Sequence, residues 1–236
     1  MKELKLHESI KITKLNIPET EKHVYIIDDF LDSLDSIFDF AYNIAYFNPM
    51  FAERSFFPGI RDSMPMPYMR GLERFFTENI LTDLSNDYDK VIFHRSLLSL
   101  VTCTPDKLVT EQRMPHIDTF DALHFAFVHY LYDEDFGGTS IYKYKPVNLI
   151  EFNEEHAEHL RSMVEDVNNY PNEHAGYINE STSIFEQVLK IEAKKNRLVI
   201  YPGNILHSAN IKSDNDFSRD PKKGRLSISS FATITK

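Results

Sequence analysis

Apolar and polar positions recur with different periods along the two halves of the chain. Residues 24–27 (Val-Tyr-Ile-Ile) are a short apolar run that predicts a strand. After it, Phe30, Leu34, Ile37, Phe38, Ala41, Ile44 and Ala45 recur at steps of three and four, the spacing of one helix face, with Asp28 or Asp29 available as a cap. Pro58, Gly59, Pro65 and Pro67 then interrupt regular structure over residues 56–68. This stretch predicts a loop and a candidate rim element, ahead of a second helix over Tyr68–Leu84.

From Val91 onward the apolar runs shorten: Val91–Cys103, Leu123–Tyr132, Thr139–Tyr144, Arg197–Tyr201, Leu206–Ile211 and Leu226–Ile234. Strands of this length between turns predict a β-sandwich or barrel. Residues 151–195 break the series, and helical spacing in Glu155–Val167 and Ser183–Ile191 predicts a mostly helical insertion. His156 and His159, with His174 beyond, read as a solvated helix face. The expected organisation is one domain over 1–236, with an N-terminal strand and helical layer at 1–90 and a mainly β core at 91–236 that carries the insertion.

Composition narrows the function classes. With 36 Asp+Glu against 26 Lys+Arg, the net charge of −10 argues against a broad nucleic-acid surface, which needs concentrated positive charge. The single cysteine, Cys103, allows no intrachain disulfide and no multi-thiolate metal site. No stretch approaches the roughly 20 apolar residues of a membrane helix, and the charged N-terminus lacks a signal-peptide core. A cytoplasmic protein without membrane or nucleic-acid partners is therefore expected.

The chemistry concentrates in three places. In Pro115-His116-Ile117-Asp118, the imidazole and carboxylate are two residues apart, so on an extended segment both point to one side and can ligate one cation. Downstream, an apolar strand, the Pro202-Gly203 turn and a strand beginning near His207 bring a second imidazole back beside the first. Two histidines and one carboxylate form the facial triad of non-haem Fe(II) oxygenases, which leaves coordination positions open. Further on, Arg225 and Ser227 share one face of the last strand, where a guanidinium fork and a hydroxyl can hold a carboxylate.

In this order the motifs resemble the 2-oxoglutarate/Fe(II)-dependent dioxygenases. The stretch His129-Tyr130-Leu131-Tyr132-Asp133-Glu134-Asp135-Phe136-Gly137-Gly138-Thr139 is similar to their prolyl-hydroxylase-like branch. The likeness covers roughly residues 110–235. It implies an α+β fold with a mainly β core: a double-stranded β-helix (jelly-roll, cupin-like) with N-terminal supporting helices and a helical insertion. It also implies Fe(II) at His116, Asp118 and His207, and 2-oxoglutarate at Arg225 and Ser227 with Tyr130 reaching its distal carboxylate. O2 is the third reactant, and a C–H bond of a peptide, protein side chain, amino acid or other small molecule is oxidised. With Asp118 in place, hydroxylation, desaturation or demethylation is expected rather than halogenation. One departure is the 18 positions from His207 to Arg225, longer than is usual in this family. Polar residues 212–223 account for the excess as an elongated loop.

Arg61, on the Pro-Gly loop, and Arg113, three residues before His116, are candidate substrate contacts. Two rival readings are a non-catalytic jelly-roll that binds a metal or small acid as a sensor, and a cupin-type metalloenzyme that does not use 2-oxoglutarate. Arg225 and Ser227 speak against the second, which needs no dicarboxylate anchor. Oligomeric state is not legible in the sequence.

Overall fold

Two antiparallel sheets face each other in the computed structural model, which describes residues 4–52, 55–84, 87–132 and 136–236. The strands are β1 (Lys11–Asn16), β2 (His23–Asp28), β3 (Gly59–Ser63), β4 (Lys90–Val101), β5 (His124–Tyr130), β6 (Thr139–Tyr144), β7 (Phe185–Ile191), β8 (Leu198–Pro202), β9 (His207–Ala209) and β10 (Leu226–Thr235). The large sheet runs β1-β2-β8-β5-β10-β4-β3 and the small one β7-β6-β9. A bridge between His116 and His207 adds the chain around His116 to the small sheet, beside β9. From β4 onward the chain therefore crosses from one sheet to the other at every step except β6 to β7, giving the double-stranded β-helix, or jelly roll.

Both faces of the large sheet are covered. Helices α1 (Asp35–Asn43) and α2 (Met66–Asn79) pack on its outer face with a short α3 (Leu81–Leu84), and Phe30, Phe75 and Phe76 join Leu198, Ile200, Phe125, Phe127 and Ile228 in one core. Phe76 lies 5.5 Å from the Phe125 ring and 5.2 Å from Phe127, so its truncation to Ala costs about 3–5 kcal/mol. The inner face carries Ala126, Tyr130, Val199 and Tyr201 toward Ile141 and Ile205. Covered on both sides, β8 is buried at every residue. Helix α4 (Ala157–Asn169) caps the small sheet, its Met163 and Val167 packing with Tyr142, Tyr144 and Phe185.

The structure departs from the periodicity in several places. The segment Ser183–Ile191, expected to be helical, contains strand β7 and no helix. The register jumps there from Ile141↔Leu189 to Tyr142↔Gln187, so Val188 is an extra residue that breaks the two-residue alternation and imitates a helical step. Helix α1 begins at Asp35 instead of following Asp28 or Asp29, because Asn196 holds the preceding turn. Its carbonyl accepts from Phe30 N–H at 3.0 Å, and its side chain accepts from Leu31 N–H at 3.1 Å and donates to Leu31 O at 2.7 Å. Polar, exposed β1 gives no apolar alternation, yet it pairs along β2. The expected Pro-Gly loop continues into β3, where a Cβ on Gly59 would collide with the Leu100 carbonyl of β4. His174 is buried in the core against Phe185, not on a solvated face.

Candidate metal centre and adjoining cavities

Each candidate ligand is held by backbone pairing. His116 N–H donates to His207 O at 2.8 Å, and His207 N–H donates back to His116 O at 2.9 Å. Asp118 N–H donates to the Gly203 carbonyl at 2.8 Å. A side chain at Gly203 would place its Cβ 2.8 Å from the His124 ring and 3.4 Å from Asp118 Cβ, so glycine is what lets the turn approach this closely. As a result, one ligand atom each from His116, Asp118 and His207 lie within 4.8 Å of one another. The Asp118 carboxylate is 4.0 Å from His116 Nε2 and 3.7 Å from His207 Nε2.

Protonation favours cation binding. The Ile205 carbonyl accepts from His207 Nδ1 at 2.8 Å, which fixes the tautomer and leaves the Nε2 lone pair facing Asp118. Burial pulls His207 down to about 4, with the Ile205 bond opposing, so this imidazole is neutral at pH 7. Enclosure in the site and then the His207 ring lower His116 as well, although its edge opens on a cavity. Burial raises Asp118, while His116, His124, Arg61 and Arg95 favour its charged form. Two neutral imidazoles and one carboxylate, all converging, fit a first-row divalent ion such as Fe(II) with positions to spare.

A narrow cavity of about 100 Å³ leads from these three residues past Thr139 and Tyr201 to Arg225 and Ser227. The Tyr201 ring stands edge-on to His207 at 4.8 Å. Arg225 is 3% exposed: its Nε donates to Phe136 O at 3.3 Å, one terminal nitrogen donates to Gly138 O at 3.2 Å, and its guanidinium lies over the Tyr132 ring at 5.1 Å. Among the described residues, no carboxylate pairs with this buried cation. Such an arrangement is costly unless an anion completes it.

A second cavity, of about 560 Å³, also borders His116 and Asp118. Leu160, Met163 and Val164 of α4 form one wall, Phe56, Phe57 and Pro58 another, and Arg61 and Arg95 also line it. The insertion thus supplies part of the enclosure. Gln112 ties the Phe56 segment to the chain leading to His116, donating to Phe56 O at 3.0 Å.

The other sequence candidates are placed differently. Tyr130 is fully buried, and its hydroxyl bonds to Thr139 Oγ1 at 2.6 Å, so Thr139 lines the narrow cavity and Tyr130 stands behind it. Arg61 lines both cavities, its guanidinium 3.9 Å over the Phe57 ring and bonded to Ser55 Oγ at 3.2 Å. Arg113 lines neither: it donates to the Leu108 carbonyl and is occupied in holding the turn before His116. The acidic turn at 133–135 lies outside the described residues. Arg95, Thr139, Tyr201 and the α4 residues were not singled out by sequence. The alternation of Arg95, Leu97 and Ser99 along β4 signals a shared face, but that Arg95 lines a cavity with residues of α4 is not visible in local spacing.

Residues 8–232 match the family described as "Family of unknown function (DUF6445)". No curated protein matches the sequence. Among solved structures, the chain is similar to HygX from Streptomyces hygroscopicus with nickel, 2-oxoglutarate and hygromycin B bound. There the TM-score is 0.47 and the identity 9%, over 90% of this chain and 83% of that one. SnoN, a non-heme alpha ketoglutarate dependent epimerase from nogalamycin biosynthesis, gives 0.41 and 11% over 84% and 70%. EctD from S. alaskensis with bound Fe gives 0.40 and 11% over 98% and 83%. The jelly-roll assignment rests on the strand order given above.

Proposed function

We propose that this chain, which belongs to the DUF6445 family, is an Fe(II)- and 2-oxoglutarate-dependent oxygenase that oxidises an unactivated C–H bond. The observation that carries the reading is one cavity lined both by the three-donor cluster and by a buried arginine that forms no ion pair with a carboxylate among the described residues. A metal site alone would serve many chemistries. Adding Arg225 and Ser227 selects a dicarboxylate as the molecule that spans the space between them.

His116, Asp118 and His207 would hold the iron. The Ile205 carbonyl keeps His207 in the ligating tautomer, and the Gly203 carbonyl fixes the Asp118 backbone. Arg225, pre-oriented by Phe136 O and Gly138 O, would take the distal carboxylate of 2-oxoglutarate, with Ser227 beside it. Tyr130 acts through Thr139, holding that hydroxyl at the cavity wall. When bound, iron with 2-oxoglutarate and O2 supplies the oxidising power, leaving succinate and CO2. The chain's part is to orient the reactants and shield them from water.

The wider cavity is the place for the substrate, since it borders His116 and Asp118 but not Arg225 or Ser227. Asp118 occupies a ligand position that a halide would need, which favours hydroxylation, desaturation or demethylation over halogenation. The substrate is a peptide, a protein side chain or a small molecule, with no nucleic-acid or membrane partner, and the setting is the cytoplasm. No helix of the described residues is long and apolar enough to cross a membrane. Purified protein with Fe(II), 2-oxoglutarate and O2 should form succinate, and His207→Ala should abolish it. Iron binding without succinate formation, even with cell extract as substrate source, would favour the non-catalytic sensor instead.

A further inference from the structure

The polar side chains along the wider cavity are already engaged with the protein. Gln112 donates to Phe56 O at 3.0 Å and accepts from Val109 N–H at 3.0 Å. Tyr177 donates to Cys103 O at 2.6 Å, and Ser208 Oγ to Ala209 O at 3.4 Å. Ser55 Oγ accepts from Arg61 at 3.2 Å and from Phe57 N–H at 3.3 Å, while the Arg61 guanidinium lies over the Phe57 ring. Arg95 is exposed and Glu111 partly so, and both can stay hydrated. Beyond the metal ligands, a guest in this cavity therefore meets few polar side chains, among the described residues, with a hydrogen bond left to give.

What it does meet is hydrocarbon. Met114 and Pro115 precede His116, Ile117 separates it from Asp118, and all three line the cavity. Ala209 and Phe231 line both this cavity and the narrow one, as His116 and Asp118 do. In α4, Leu160, Met163, Val164 and Val167 recur at three and four residues on one face. Met163 and Val167 are buried, whereas Leu160 and Val164 remain partly exposed and line the cavity. The apolar face of α4 is thus wider than the core beneath it covers.

We infer that the substrate is a largely hydrocarbon small molecule, whose apolar body fills the wider cavity against α4 and presents a C–H bond to the metal ligands. This substrate class rests on the oxygenase reading above. At about 560 Å³, the cavity is of the size that encloses a whole small molecule. A peptide would bring N–H and C=O groups into a space whose polar side chains are committed, and each group left without a partner costs affinity. A hydrocarbon carries no such cost and gains with every methylene it removes from water. Leu160 and Val164 are then specificity residues, setting which body fits.

The probes are butan-1-ol, hexan-1-ol and octan-1-ol, with N-acetyl-leucinamide as an amide-bearing molecule of similar size to octan-1-ol. Each is titrated by calorimetry into full-length protein, once alone and once with saturating 2-oxoglutarate and Zn(II), which cannot support turnover. Affinity should rise roughly threefold per methylene, about a hundredfold from butan-1-ol to octan-1-ol, at one molecule per chain. Octan-1-ol binding should carry a negative heat-capacity change, the mark of apolar burial. N-acetyl-leucinamide should bind at least about tenfold more weakly than octan-1-ol. Leu160→Asn should weaken octan-1-ol roughly tenfold and leave Zn(II) and 2-oxoglutarate binding unchanged. Leu160→Met should retain the wild-type affinity, which separates a lost apolar contact from a disturbed helix. An affinity that does not grow with chain length, N-acetyl-leucinamide binding as tightly as octan-1-ol, or octan-1-ol binding that ignores Leu160→Asn would each overturn the inference. Failure of Zn(II) or 2-oxoglutarate to bind overturns the oxygenase reading instead, and the alkanol series is read on the protein alone either way.

Discussion

The rung that joins His116 to His207 is a reciprocal pair of backbone hydrogen bonds, and it sets the two imidazole centroids 4.4 Å apart. Because the backbones make this rung, removing either side chain leaves the pairing in place. His116→Ala and His207→Ala should therefore stay folded and lose metal affinity by at least about a hundredfold, since even outer partners of ligands are worth roughly 10–100-fold. Calorimetric titration with Mn(II) or Fe(II) checks this. Unchanged affinity in both variants would remove the metal centre.

Arg225 is buried with two carbonyl acceptors and no carboxylate among the described residues. Arg225→Met should raise the apparent KM for 2-oxoglutarate by roughly 30-fold to several thousand-fold, the equivalent of about 2–5 kcal/mol, without changing metal affinity. Ser227→Ala should cost about 0.5–1.5 kcal/mol in the same measurement. A KM within about threefold of wild type for Arg225→Met lies below what one charge-assisted hydrogen bond is worth and would misplace the anchor.

Leu160 faces the wider cavity from α4 but is absent from the narrow one. Leu160→Trp should reduce substrate oxidation by about tenfold or more by displacing the substrate from the metal, while 2-oxoglutarate affinity is retained. Equal loss of 2-oxoglutarate affinity would show that the two cavities are not separate in function.

His129 links the N-terminal layer to the barrel, with Tyr68 Oη 3.1 Å from Nδ1 and Asn196 Oδ1 3.2 Å from Nε2. Burial lowers its pKa from 6.5 to about 4, opposed by the Asn196 bond. Between those values the unfolded chain binds a proton that the folded one refuses. Stability is therefore full above pH 6.5 and falls as pH drops toward 4, by up to about 3 kcal/mol from this residue. Urea unfolding at pH 7 and pH 5 should show a shallower pH dependence for His129→Gln, even if that variant is less stable overall. Equal pH dependence in the two proteins would contradict it.

What was legible in the sequence is what depends on local spacing. The i, i+2 pair His116/Asp118, the strand, turn and strand that bring back His207, and the shared face of Arg225 and Ser227 all follow from strand periodicity. Less legible was anything decided by a distant partner. Asn196 delays α1 across 165 residues, and Val188 hides β7 as a bulge against β6. Tyr130 has the strand position expected of it, yet Thr139, nine residues on, takes its hydroxyl. Arg113 is adjacent in sequence to the metal motif, but its side chain turns back to Leu108. Arg95 lines a cavity together with residues of α4, more than sixty positions away in the chain, which local spacing along β4 does not reveal.

The most direct test needs no knowledge of the substrate. Under strictly anaerobic conditions, Fe(II)-loaded protein is titrated with 2-oxoglutarate and its visible absorption recorded. Chelation of the 2-oxo acid to a ferrous ion held by His116, Asp118 and His207 should produce a charge-transfer band that saturates with one equivalent bound. The band should be absent in His207→Ala and should require far more 2-oxoglutarate in Arg225→Met. Wild-type protein that binds Fe(II) but gives no band at saturating 2-oxoglutarate would contradict the proposed chemistry.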